Sequence, residues 1–216
     1  MGRSEALVGS RIYTLKVTLL ESTRPIWRRI HVSEHVTLGD LHYALQITMG
    51  WENAHLHEFH IGRKQYGMDI EDPYREESIN NEDEYKLREV IKRKGQEFDY
   101  IYDFGDHWQH QVIVEAVSQP EPDVLYPICL GGERRCPPED CGGMMGYDNL
   151  LAILKDPTHD EYESYREWLP EGFDPDRFDI EEVNASLDEI DVWRRIAEGR
   201  EDECDDDALD RLGVSH

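Results

Sequence analysis

Residues 11–50 read RIYTLKVTLLESTRPIWRRIHVSEHVTLGDLHYALQITMG, and this stretch decides the fold class. In its first ten residues Ile12, Leu15, Val17 and Leu19 alternate with polar positions, the period of a half-buried strand. A turn through residues 22–25 leads to a second strand over 26–32. Thr37 then stands three residues before Asp40, a capping-box spacing, and Leu38, Leu41, Leu45 and Thr48/Met49 fall on one helical face until Gly50 ends it. Two strands followed by one amphipathic helix predict an α+β layer.

The sequence beyond this stretch extends the same reading. Phe59–Ile61 and Gln65–Tyr66 suggest a short hairpin, residues 69–84 a polar loop, and residues 86–91 a brief helical turn that Gly95 closes. Residues 98–104 and 108–117 alternate as strands, and the tight link at 105–107 makes them a hairpin. The predicted fold class is α+β, with a β-grasp-like sheet packed on one main helix. After residue 147 the pattern turns helical, with Leu150, Leu151, Ile153 and Leu154 ahead of Asp156-Pro157. Thr158 is expected to cap a short helix carrying Tyr162, Tyr165 and Trp168. Asp179 and Glu182 are expected to start a last one, with Phe178 and Val183 as its hydrophobic staple, running through Ile190. The organisation expected is a β-grasp-like part over 1–120, a loop and helical part of the same domain over 121–195, and an acidic, disordered tail over 196–216.

Charge is unevenly spread. The 216 residues carry a net −25, and residues 156–216 hold 22 Asp and Glu against six Arg. Such a surface repels a phosphate backbone, which argues against direct nucleic-acid binding and for a protein partner. No apolar run reaches the roughly 18 residues that span a bilayer, and MGRSEALVGS lacks a signal peptide's apolar segment. A cytoplasmic setting without membrane attachment is therefore expected, where four cysteines read as thiols or metal ligands rather than disulfides.

Three of those cysteines sit in residues 126–147, YPICLGGERRCPPEDCGGMMGY. Glycine and proline at this density predict an irregular loop. Cys129, Cys136 and Cys141 supply three soft ligands for Zn²⁺, and His110 on the preceding hairpin is the candidate fourth, with His107 as the other choice. The competing reading is that these thiols pack in the core. A second cluster, WENAHLHEFHIG, offers His55, His57 and His60. On a regular strand His55 and His57 would share a face while His60 lies opposite, and neither pair has the HExxH helical spacing of a zinc protease. A third, YDFGDHWQH, places Asp103 and Asp106 where they could hold a divalent cation together with Glu139 and Asp140, the arrangement of a metal-dependent nuclease or phosphoesterase. Turn capping is the plainer role for these carboxylates. The DFG tripeptide here lacks every other kinase element, and there is no GxSxG elbow, phosphate-binding loop or dinucleotide fingerprint. A cysteine nucleophile, Cys136 or Cys141 beside His107 or His110, completes the chemical possibilities.

The same segments carry a family resemblance. YTLKVTLLESTRPIWRRI, TLGDLHYALQITMGWENAHLHEF, YIYDFGDHWQH, the cysteine-bearing stretch and FDPDRFDIEEVN resemble the family named after the third open reading frame of an Agrobacterium root-inducing plasmid. Its members are also labelled insertion-element passenger proteins of the TnpR type. That resemblance implies a compact α+β domain in the genomic company of transposons, and no recombinase serine motif accompanies it. The sequence therefore predicts a noncatalytic interaction or accessory module of mobile genetic elements, stabilised by a structural zinc. A metal-dependent hydrolase using the clustered carboxylates and histidines is the alternative.

Overall fold

A computed structural model describes residues 10–68 and 79–191. The expected acidic tail, and most of the polar loop after Gly67, lie outside the described residues. In chain order the strands are β1 (Ile12–Leu19), β2 (Trp27–Ser33), β3 (His57–Ile61), β4 (Lys64–Gly67), β5 (Asn80–Asn81), β6 (Glu97–Tyr102), β7 (Trp108–Ser118) and β8 (Ile128–Glu133). The helices are α1 (Leu38–Met49), α2 (Leu87–Val90), α3 (Gly143–Leu154), α4 (Tyr162–Trp168) and α5 (Ile180–Asp188).

The strands form one sheet in the order β5-β4-β3-β6-β7-β1-β2-β8, antiparallel except for the short parallel pair β4–β5. This confirms a mixed α+β architecture but corrects its scale: eight strands are more than a β-grasp-like sheet on a single helix. β1 and β7 hold the middle, pairing from Ile12↔Ser118 to Leu19↔His110 with one register shift after Thr14. On β7, Trp108, His110, Val112 and Val114 are buried while the residues between them are only partly so, as expected when one face meets a core.

α1 forms where the sequence places it. The Thr37 side chain accepts from Asp40 N–H, the Asp40 carboxylate accepts from Thr37 N–H, and Gly50 closes the helix in a left-handed conformation. Leu38, Leu41 and Leu45 are fully buried, each worth about 1.5–3 kcal/mol relative to exposure. α1 lies against β2, β4 and the short 3-10 turn at Glu82–Glu84, and also against α5, which lies on β8.

Two local expectations change. The stretch 126–147 is not irregular throughout, since β8 runs through its first half and α3 begins at Gly143. Glycine is what permits β8 here: a Cβ on Gly132 would stand 2.7 Å from the Phe178 ring and 2.9 Å from Arg28 Cδ, so the bare backbone lets α5's flank close on the sheet. Thr158 does not cap α4. It is held by Asp156, whose carboxylate accepts from Thr158 N–H (3.0 Å) and hydroxyl (2.6 Å), and α4 starts at Tyr162. At the last helix Asp179 does accept from Glu181 and Glu182 N–H, and α5 ends at Asp188. No helix among the described residues is long and apolar enough to cross a membrane.

Candidate metal centre

Strand pairing brings distant residues together at one end of the sheet. β3 pairs with β6 so that His57 faces Tyr102, and Asp103 N–H donates to the Leu56 carbonyl, which sets His55 beside Asp103. The loop before β3 is pinned from several sides. Trp51 donates its indole N–H to the Pro137 carbonyl and stacks on Tyr102 at 5.0 Å, while Asn53 N–H donates to Gln46. The Pro137 contact carries Glu139 and Asp140 in with it. Asp106 fixes the other side, accepting from Gly142 N–H at 3.1 Å. A Cβ on Gly143, at φ 67°, would stand 2.7 Å from the Asp106 carbonyl oxygen, so only glycine lets α3 start this close to the β6–β7 turn.

At the centre of this assembly is His55 Nε2. Asp140 Oδ1 stands 3.2 Å from it, Glu139 Oε2 3.3 Å and Asp103 Oδ2 3.7 Å. Although all three carboxylates lie within ion-pair range, none is aligned for a hydrogen bond, and the nitrogen is buried without a partner. A buried imidazole nitrogen facing oxygens it does not bond is an unmet demand. Ligand atoms of His55, Asp103 and Asp140 all lie within 4.8 Å of one another, and theirs is the one such group of three among the described residues. Two ligands each about 2.1 Å from a tetrahedral ion stand about 3.4 Å apart, so the spacing suits one small divalent cation.

The surrounding bonds hold the carboxylates in place. The Tyr102 hydroxyl donates to Glu139 (2.9 and 3.0 Å to its two oxygens) and accepts from Ala54 and His55 N–H. Burial, reinforced by Glu139, raises the Tyr102 pKa, so the phenol keeps its proton. Glu139 Oε1 also accepts from Glu52 N–H, and Asp103 Oδ1 from Gly105 N–H. Asp103 and Glu139 thus each hold one oxygen on a backbone N–H while the other faces His55. Asn53, Asp103 and Asp140 all hold positive φ, which Asn and Asp tolerate better than other side chains with a Cβ.

The cysteines are placed differently. Cys129 Sγ contacts the Gly131 carbonyl, Cys136 Sγ lies by Met49 sulfur and the Arg28 guanidinium, and Cys141 Sγ points to the Gly143 carbonyl. His110 is fully buried, bonded through Nδ1 to the Tyr100 carbonyl and set edge-on to Trp51. The structure does not gather Cys129, Cys136, Cys141 and His110 around a common point. Burial raises all three thiol pKa values, that of Cys141 to about 12. His107 takes the left-handed turn between β6 and β7, with its N–H bonded to the Asp103 carbonyl.

Nor do His55, His57 and His60 converge. His57 turns inward and stacks on His42, ring centres 3.4 Å apart and 4° from parallel, while His60 bonds Glu58. His57 also meets Glu82 at 2.8 Å. His42 continues the network through Nδ1 to the Tyr100 hydroxyl and through Nε2 to Asn53. Burial lowers both histidines to about 3 and raises Glu82 to about 7, favouring the uncharged forms. Sequence reasoning missed this network, because His42 lies on α1's apolar side and Glu82 in a polar run. Neither carries a local signal of its partner.

Fold and site define an α+β protein with a nitrogen and oxygen donor set at one end of its sheet. The chain belongs to the plasmid pRiA4b ORF-3-like protein family, whose model matches residues 11–182. It is 32% identical over 188 residues to the uncharacterized protein y4hQ of Sinorhizobium fredii (strain NBRC 101917 / NGR234), covering 86% of this chain and 96% of that one. Among solved structures it is similar to the protein of unknown function MM3350 from Methanosarcina mazei Go1. That likeness has a TM-score of 0.74 and 39% identity, covering 81% of this chain and 97% of the other.

Proposed function

We propose that the chain binds one divalent cation between His55, Asp103 and Asp140 and acts as a metal-dependent hydrolase. The observation that carries this reading is the buried His55 Nε2, surrounded by three carboxylates and bonded to none. One imidazole and two carboxylates suit Zn²⁺ or Mn²⁺ and leave coordination positions for water, as catalytic sites do. A cation held there would supply Lewis acidity, toward a water or toward an ester oxygen. Glu139 would serve as the base for a water proton, held in position by Tyr102 and Glu52 N–H while its other oxygen faces His55.

The noncatalytic reading, an accessory module of mobile elements with a protein partner, draws support from the same carboxylates. Asp103, Asp106 and Glu139 each accept a backbone N–H, which alone gives them a structural role. Mg²⁺-, Mn²⁺- and Zn²⁺-dependent cleavage of phosphate esters, DNA and RNA by wild type, Asp103→Asn and His55→Ala separates the two. The hydrolase reading expects turnover in wild type that falls at least about 100-fold in folded variants. Cation binding without turnover on any substrate would favour the accessory module. Zinc retained in His55→Ala but lost in Cys136→Ser would move the metal to the cysteines.

A further inference from the structure

A cavity of about 430 Å³ opens beside the cluster, lined by Arg28, Arg135, Cys136, Glu139, Phe173 and Phe178 among others. Its size is that of a small-molecule site. We propose that it binds a small organic oxyanion, a carboxylate or phosphate group on an apolar or aromatic body, with the oxyanion on Arg28 and Arg135. Although the cavity shares Glu139 with the proposed metal centre, this proposal does not depend on a metal being bound.

Arg28 is 3% exposed, yet no carboxylate among the described residues pairs with it. Its guanidinium donates to the carbonyls of Thr48 (2.6 Å), Trp27 (2.8 Å) and Glu133 (3.2 Å). The remaining nitrogen, Nη2, has only Cys136 Sγ at 3.5 Å, a weak acceptor. Phe178 covers the guanidinium face at 4.4 Å. Carbonyl dipoles and a ring orient this cation without neutralising it, and buried charges are ordinarily paired. Arg135 adds a second positive charge at the same cavity, resting over Phe173 at 5.3 Å, and no carboxylate among the described residues pairs with it.

The acidic groups along the cavity are mostly engaged elsewhere. Arg177 is shared by Asp179 and Glu182, and Asp179 also caps α5. Glu139 is held by Tyr102 and Glu52 N–H, which leaves the exposed Glu52 as the remaining carboxylate. Two arginines without a carboxylate, in an enclosure walled by two phenylalanines, match a ligand with an anionic head and a flat apolar body.

The test is calorimetric titration of the chelator-treated full chain with phenyl phosphate, benzoate, inorganic phosphate and benzyl alcohol at constant ionic strength. Saturable binding is expected for at least one aromatic anion, tighter than for inorganic phosphate and absent for the neutral alcohol. Whichever of phenyl phosphate and benzoate binds more tightly identifies the head group. Arg135→Ala should weaken that binding by about tenfold or more, and His55→Ala should leave it within about twofold of wild type. If Arg135→Ala does not fold, Arg135→Gln serves in its place. No saturable binding of either aromatic anion, or equal affinity in wild type and the folded Arg135 variant, overturns the proposal.

Discussion

Buried histidines give this protein a definite acid response. His42 and His110 are fully buried, and burial lowers their pKa values to about 3 and about 4. In the unfolded chain both would titrate near 6.5. Their contribution to stability is therefore complete above pH 6.5 and declines as pH falls from there toward 4 and 3, by about 1.4 kcal/mol per pH unit for each. Glu82 acts in the opposite sense. Its folded pKa is raised to about 7 from 4.5, so its contribution is complete below 4.5 and is lost as pH rises to 7. Between pH 6.5 and 4.5 Glu82 thus offsets part of the histidine loss. Urea unfolding across that window should show a steeper acid decline in Glu82→Gln than in wild type, whereas equal slopes would mean that Glu82 is not held neutral by its surroundings.

At the scale of elements, two seams carry tests. The reciprocal Thr37–Asp40 cap starts α1, and Thr37→Ala should cost about 1 kcal/mol in denaturant unfolding. Gly132→Ala places a methyl against the Phe178 ring and Arg28 Cδ, and should cost about 1–3 kcal/mol by forcing β8 and α5 apart. An unchanged midpoint for Gly132→Ala would show that the seam can open without penalty. These elements also mark what was legible. α1 carried both cap and periodicity in its sequence, and the β6–β7 hairpin carried alternation with a tight link. β8 did not, because Gly131 and Gly132 remove the alternating side chains by which a strand is recognised, and its partner β2 lies about a hundred residues away. Asp156 outcompeted Thr158 at the turn before α4, since a carboxylate already in reach accepts both of its donors.

Over the whole molecule, the site is made by topology rather than by a motif. Asp103, Glu139 and Asp140 were recognisable as candidate carboxylates together with Asp106, but His55 was read as part of a separate histidine cluster on a strand. Instead His55 lies in the loop ahead of β3, and Asp106 anchors the start of α3. The β3–β6 register and the Trp51–Pro137 bond bring the three segments together, and neither can be read from local spacing. The cysteines had the more conspicuous spacing, yet Cys129 on β8 and Cys136 and Cys141 in the connection to α3 turn their sulfurs to separate neighbours. A cation bound only by the folded chain would stabilise it by about 2.7 kcal/mol at a hundred times its dissociation constant. The most direct measurement is the metal content of full-length wild type and His55→Ala, expressed without a histidine tag in zinc- and manganese-supplemented medium. About one divalent ion per wild-type chain, and close to none in a His55→Ala chain that still folds, is the predicted result. Stoichiometry near zero in wild type, or an equal content in both proteins, would contradict it.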